Sequence, residues 1–108
     1  MQTPLQITLK DMPQSPAVES RIREKVDKLH RFHDRIMGCH VVVESPQQRQ
    51  HQGKLYSVRI DLTVPGAELV ANRAQDEDVY VAIRDAFDAM TRQLEEFARR
   101  QRGEVKNH

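Results

Sequence analysis

The sequence has one cysteine, Cys39, among 108 residues, and it has no apolar run approaching the roughly 18 residues needed to cross a bilayer. A single cysteine cannot form an internal disulfide, which excludes the disulfide-stapled secreted class and fits a reducing cytosol. The first ten residues lack the basic start and continuous apolar stretch of a signal peptide. These absences predict a cytoplasmic protein with no membrane partner.

Glycine is also scarce, and no glycine-rich loop of the kind that cradles phosphate is present. Neighbouring carboxylates such as Asp85 and Asp88 fall on the solvated face of a predicted helix, where nothing tunes them for acid or base catalysis. We therefore expect no catalytic residues, no cofactor and no small-molecule substrate.

Length and charge predict one domain with a distinct end. The chain carries 17 Lys and Arg against 16 Asp and Glu, but residues 74–97 hold seven acids against two arginines. From residue 98 the balance reverses, with the cations Arg99, Arg100, Arg102 and Lys106 against Glu104. We expect a single α+β domain over residues 1–98 and a flexible basic tail over residues 99–108.

The first half of the chain reads as strand, helix, strand. Apolar residues alternate with polar ones over residues 5–10, which is typical of a strand with one buried face. Ser15 before Pro16 is a helix start. An apolar stripe at spacings of three and four then predicts a helix to about residue 32, through Val18, Ile22, Val26, Leu29 and Phe32. Residues 36–44 are rich in β-branched side chains and predict a second strand.

The second half predicts a hairpin followed by a helix. After a polar loop at residues 45–53, strict alternation over residues 56–64 predicts a third strand. Pro65 and Gly66 fit a type II turn into a short fourth strand over residues 68–73. Asp76 is placed to cap a second helix. The apolar stripe of that helix comprises Val79, Ile83, Ala86, Phe87, Met90, Leu94 and Phe97.

The order β-α-β-β-β-α predicts an α+β two-layer sandwich, in which two helices cover one face of a four-stranded sheet. A right-handed crossover makes the first two strands parallel, and antiparallel hairpins follow. The other sheet face stays in water and carries Thr8, Lys10, Arg59, Asp61 and Thr63.

Histidines near the cysteine raise the possibility of a metal site formed by His30, His33, Cys39 and His40. His30 and His33 straddle a predicted helix end, and Cys39 and His40 point to opposite faces of a strand. Such spacing fits a small buried thiol and surface imidazoles better, so we expect no metal and no cysteine nucleophile.

The first predicted helix carries a cationic flank beside its apolar stripe, formed by Arg21, Lys25, Lys28 and Arg31. Most acids of this helix lie on the other flank, and Glu24 is the one acid on the cationic flank. A basic flank beside a buried face suits a helix that lies along a phosphate backbone. Many lysine-rich helix surfaces do no more than keep a domain in solution. The pattern alone therefore does not decide between nucleic-acid contact and a solvated surface.

Three segments, taken in order, resemble the ribosome hibernation promoting factor family, which includes the ribosome-associated inhibitor and is sigma-54 modulation protein-like. They are KLHRFHDRI at residues 28–36, CHVVVE at 39–44 and DVYVAIRDAFDAMTRQL at 78–94. The resemblance covers about residues 4–98. It implies a fold similar to a double-stranded RNA-binding domain, and a short form without the dimerisation domain of long members.

The resemblance also implies a function. Members bind the 30S ribosomal subunit under stress or in stationary phase, in the channel used by mRNA and tRNA, and they inhibit translation. Contacts to 16S rRNA would come from Arg21, Lys25, Lys28, Arg35 and Arg92, with Arg31 on the cationic flank and Arg99 and Arg100 in the tail as additions. The chain departs from many members at Ala89, where they carry a lysine.

Two other functions stay open at this point. A protein-interaction module could bind a basic partner through the open sheet face or the acidic second helix. A small metal-dependent or cysteine-dependent enzyme would instead use Cys39 and its neighbouring histidines.

Overall fold

Six elements follow one another as β-α-β-β-β-α in the computed structural model, which describes residues 4–45 and 55–102. They are β1 (Leu5–Lys10), α1 (Pro16–Phe32), β2 (Gly38–Glu44), β3 (Tyr56–Val64), β4 (Ala67–Asp76) and α2 (Val79–Arg102). The predicted order is confirmed. The predicted polar loop, apart from Ser45, and the last six residues of the predicted tail lie outside the described residues.

The sheet has the strand order β1-β2-β3-β4. β1 and β2 are parallel, while β2 with β3 and β3 with β4 are antiparallel, as the predicted crossover and hairpins require. One row of paired residues crosses the whole sheet, from Ile7 through Val41 and Ile60 to Ala71. Because side chains alternate along a strand, this row lies on one face.

That face and both helices share one hydrophobic core. In β2 and β3 the buried residues alternate with half-buried or exposed ones, and every buried apolar residue of α1 and α2 packs into the same cluster. The helices therefore cover one side of the sheet, and the two-layer α+β sandwich is confirmed. The residues with the least exposure are Ile22, Val41, Val43, Ile60, Leu62, Ala82, Ile83 and Met90.

α1 begins as predicted. Ser15 has an extended backbone, its Oγ accepts a hydrogen bond from the Val18 amide at 3.2 Å, and Pro16 opens the first turn. The cap satisfies an amide that the helix itself leaves unpaired. The buried stripe contains Val18, Ile22, Val26 and Leu29 but not Phe32, which is 70% exposed. The prediction that Phe32 belongs to the buried stripe is therefore wrong.

The cap of α2 is Asp78 and not Asp76. The Tyr80 amide donates to Asp78 Oδ1 at 2.9 Å, and the Ala82 amide donates to the Asp78 carbonyl. Asp76 is the last residue of β4, paired with Tyr56, and its Oδ1 accepts from the Asp78 amide. Strand pairing therefore holds Asp76 out of the helix, and Asp78, directly before the first residue of α2, provides the cap.

β4 is longer than predicted and continues past Arg73 to Asp76. A bulge separates the pairs Val58–Ala74 and Ile60–Ala71, so two β4 residues, Asn72 and Arg73, lie opposite a single residue of β3. Both are exposed, which breaks the alternation of apolar and polar side chains.

The turn between β3 and β4 is of type II, as predicted. Gly66 has φ +85°, and proline at the preceding position cannot adopt a positive φ. β2 starts two residues later than predicted. Ile36 is buried in the connection before it, and the Met37 amide donates to the Thr63 carbonyl at 2.8 Å.

α2 continues four residues past the predicted domain end, so Arg99, Arg100 and Arg102 are helical. Further back, Gln93 Nε2 donates at 2.7 Å to the backbone carbonyl of Val70, which ties α2 to the outer strand β4. Among the described residues, no helix is both long and apolar enough to span a membrane.

We expect truncation of two neighbouring valines on β2 to distinguish the buried face of the sheet from the open face. Val41 is fully buried and Val42 is half-buried on the opposite face. Val41→Ala removes core methyl groups and leaves a cavity, so it should lower the free energy of unfolding by about 2–3 kcal/mol. Val42→Ala, the matched control, should cost less than about 1 kcal/mol. Urea denaturation followed by circular dichroism measures both, and equal losses would contradict the assigned faces.

Candidate nucleic-acid interface

The two helices lie side by side and run in the same direction. Near their starts, the Arg21 guanidinium carbon lies 5.0 Å from the centre of the Tyr80 ring. Near the end of α1, Phe32 lines a cavity together with Leu94 and Phe97 from the second half of α2. One flank of α1 therefore faces α2 along its length, and this is the flank for which the sequence predicts a cationic row.

An open groove runs between the helices, with a volume of about 510 Å³. Lys25 and Lys28 form its α1 wall, and Asp88 and Glu95 are on its α2 wall. Within the described residues, neither lysine has a carboxylate within ion-pair distance. The acids lower the positive potential of the groove, but they do not sequester the two ammonium groups.

Arg21 extends the same cationic row and makes two contacts. It lies over the ring of Tyr80, and its Nε is 3.5 Å from Glu24 Oε1. Glu24 is the acid that intrudes on the basic flank, and its side chain is 73% exposed. An exposed pair of this kind contributes little to stability, so a phosphate can replace the carboxylate at low cost.

A second cavity of about 380 Å³ lies beyond the end of α1. Arg35 and Arg102 both line it, together with Phe32 and Pro65. The sequence prediction included Arg35 but omitted Arg102 from the candidate contacts, because it assigned that residue to a tail. The signal was present, since residues 98–102 are good helix formers and a glycine, a common helix stop, follows at 103.

The other candidate cations are exposed but line neither cavity. They lie on the outer surface of α1 (Arg31) and along the solvent side of α2 (Arg92, Arg99 and Arg100). The structure thus brings Arg21, Lys25 and Lys28 into one row, and it places Arg35 near Phe32 at the end of that row. It does not gather all eight candidates at one point.

The open sheet face is occupied by short polar pairs. Arg59 Nε donates to Asp61 at 3.1 Å and Thr63 donates to Glu68 at 3.2 Å. Thr8 Oγ1 and His40 Nε2 are 3.0 Å apart. Because opposite charges alternate across it, this face offers a partner no field of one sign.

Cys39 is buried at the base of β2. Desolvation, assisted by the negative charge of Asp61, raises the pKa of its thiol to about 12. A thiol of this kind is protonated at neutral pH and is a poor nucleophile. Within residues 4–45 and 55–102, no group of three or more His, Cys, Asp or Glu side chains is arranged to hold a metal ion.

The sequence of residues 5–102 matches the family model described as Sigma 54 modulation protein / S30EA ribosomal protein. The chain belongs to this family. The match includes both helices and every strand, so it covers the groove and its cationic row. The family resemblance stated from the sequence is confirmed.

A curated relative agrees with this assignment, and two solved structures share the fold. The chain is 36% identical over 78 residues to a ribosome hibernation promoting factor from Azotobacter vinelandii, and the match spans 72% of this chain but only 66% of that protein. A ribosomal subunit interface protein from Coxiella burnetii shares the fold with a TM-score of 0.71 at 19% identity, over 89% of this chain and 98% of that one.

The N-terminal domain of Protein Y from Thermus thermophilus also shares the fold. Its TM-score is 0.72 at 22% identity, and the superposition covers 88% of this chain and 99% of that domain. At these identities the two structures support the fold alone.

We expect Cys39 to resist alkylation in the folded protein. A pKa raised from 9.0 to about 12 lowers the thiolate fraction at neutral pH about a thousandfold. Reaction with iodoacetamide at about pH 8 should be at least a hundredfold slower than in guanidinium chloride, where the unfolded thiol is exposed. Mass spectrometry reads the result directly, because the chain has a single cysteine. Rapid stoichiometric labelling of the native protein would show an accessible thiol.

Proposed function

We propose that this protein is a ribosome-associated translation inhibitor, or hibernation factor, that binds the small ribosomal subunit. The observation that carries the proposal is the row of cations beside the groove between α1 and α2, in which Lys25 and Lys28 have no ion-pair partner among the described residues. Membership of the family and the printed name of the Azotobacter vinelandii relative support it.

The proposed contact is electrostatic and follows from the spacing of the row. Arg21, Lys25 and Lys28 are separated by one helical turn each, so they present positive charge about every 5–6 Å along α1. This spacing is similar to the distance between successive phosphates of an RNA strand. Binding would release the counterions condensed on the RNA, so affinity should fall steeply with salt.

In finer detail, the protein would occupy the channel used by mRNA and tRNA on the 30S subunit and would contact 16S rRNA. This role belongs to stress or stationary phase, in the cytoplasm, and it is a binding function without catalysis. The residues assigned to rRNA contact are Arg21, Lys25, Lys28, Arg31, Arg35, Arg92, Arg99 and Arg100.

Charge reversal of the two groove lysines tests the proposal. We expect the wild-type protein to co-sediment with purified 30S subunits, and the double variant Lys25→Glu/Lys28→Glu to lose that binding at least a hundredfold, because two attractive phosphate contacts become repulsive. The milder Lys25→Gln/Lys28→Gln should weaken binding and also reduce its salt dependence, by about one unit of log–log slope for each lost contact.

Lys10→Glu/Arg73→Glu is the matched control, because it makes the same change in net charge at two exposed cations outside both cavities. It should bind nearly as the wild type does. Equal losses in the two double variants would show an effect of total charge rather than of the groove. A wild-type protein that stays at the top of a sucrose gradient of stationary-phase lysate would contradict the proposal itself.

Neutralising the acids on the α2 wall should have the opposite effect on binding from reversing the charge of the lysines. Asp88 and Glu95 face the groove and oppose the approach of phosphate. Asp88→Asn/Glu95→Gln should therefore tighten 30S binding severalfold at low salt, and the gain should shrink as salt screens the charges. Fluorescence anisotropy of a labelled protein titrated with 30S subunits gives both values. An unchanged affinity would place the bound RNA away from this wall.

The protein-interaction alternative is separated from ribosome binding by ribonuclease. A partner that binds the open sheet face or the acids of α2 would be retained in a pull-down after RNA digestion. No contact in the described residues favours this function, since the open face is occupied by its own polar pairs.

A further inference from the structure

Phe32 is the one strongly exposed aromatic residue of this protein. The chain has three Phe, two Tyr and no Trp, and all five aromatic rings lie in the described residues. Phe87 is buried in the core, and Tyr56, Tyr80 and Phe97 are packed against it, whereas Phe32 is 70% exposed. Its ring is therefore available to a partner.

The position of Phe32 joins the two cavities. It lines the groove with Lys25 and Lys28, and it also lines the second cavity with Arg35 and Arg102. The ring thus lies between two pairs of cations that come from three different parts of the chain. All four cations are free of ion pairs among the described residues.

We propose that Phe32 is a stacking platform for an unpaired nucleobase of the bound RNA. The face of the base would lie on the ring, while Lys28 and Arg35 bind the phosphates on its two sides. This rests on the proposed ribosome binding and deepens it, because it assigns the end of the row to a single-stranded or bulged nucleotide rather than to a duplex. Proteins contact unpaired RNA in this way, through an aromatic face with flanking positive charge.

The cations around Phe32 disfavour an apolar protein partner at this site. An apolar peptide docked on Phe32 would bury the neighbouring ammonium and guanidinium groups without phosphate or carboxylate to compensate them, which is costly. A nucleotide supplies both the apolar face for the ring and the negative charge for the cations.

Replacement of Phe32 by tryptophan gives a direct reporter. Phe32→Trp introduces the only tryptophan of the chain, and its emission can be excited where tyrosine does not absorb. We expect the variant still to co-sediment with 30S subunits, because indole can stack as phenyl does, and its emission to be strongly quenched on binding, because a stacked base quenches indole. Val70→Trp on the open sheet face is the control, and its emission should not change.

Affinity of two further variants separates stacking from simple apolar contact. Phe32→Ala should weaken 30S binding about tenfold, within the range known for loss of a base-stacking aromatic. Phe32→Leu retains an apolar side chain of similar size without a π face, and it should lose nearly as much. Both substitutions are at an exposed position, so the urea midpoint should be unchanged.

The outcomes distinguish this proposal from the one on which it rests. If Lys25→Glu/Lys28→Glu abolishes binding while Phe32→Leu binds as wild type, or if bound Phe32→Trp keeps its emission, the stacking proposal is overturned and ribosome binding stands. If Phe32→Trp fails to bind where the wild type binds, stacking is again overturned, since indole stacks at least as well as phenyl. If the wild type does not bind 30S subunits, both proposals fall.

Discussion

The burial of both helices against one face of the sheet is the constraint on which the rest of the structure depends. Ile22 from α1, Ile60 from β3 and Met90 from α2 meet in a core from which water is excluded. Each helix has one apolar stripe, so once both stripes are buried the orientation of every other side chain follows. Arg21, Lys25 and Lys28 then have to lie on the side of α1 that faces α2.

This arrangement explains why the cationic row is available despite a nearly neutral chain. Seven acids fall within residues 74–97, yet Asp78 caps α2 and Asp85 pairs with the adjacent Arg84. Among the described acids, Asp88 and Glu95 line the groove opposite the lysines, beyond ion-pair distance. Net charge therefore says little about this surface, because separation of the charges decides what a polyanion meets.

The sequence was sufficient to predict the order of elements, the strand directions and most residues of the core, since these follow from periodicity. It was insufficient where tertiary pairing overrides a local signal. Asp76 is a good cap by composition but is held in β4 by pairing with Tyr56. Phe32 fits the helical spacing, yet at the last position of α1 it lies beyond the core. The proximity of Arg35 to Arg102 depends on how α1 and α2 pack, which no single segment encodes.

The hydrogen bond from Gln93 to the Val70 carbonyl has a consequence for self-association. An outer strand with unpaired backbone groups is a template on which a second molecule can extend the sheet. Here a side chain of α2 already occupies one of those acceptors, and the bulge at Asn72 and Arg73 distorts the backbone two residues later. A strand from a second molecule would have to displace the Gln93 amide, whose Nε2 lies 2.7 Å from the Val70 carbonyl oxygen, and then pair with the irregular backbone of the bulge. The outer edge of β4 is therefore protected against edge-to-edge polymerisation.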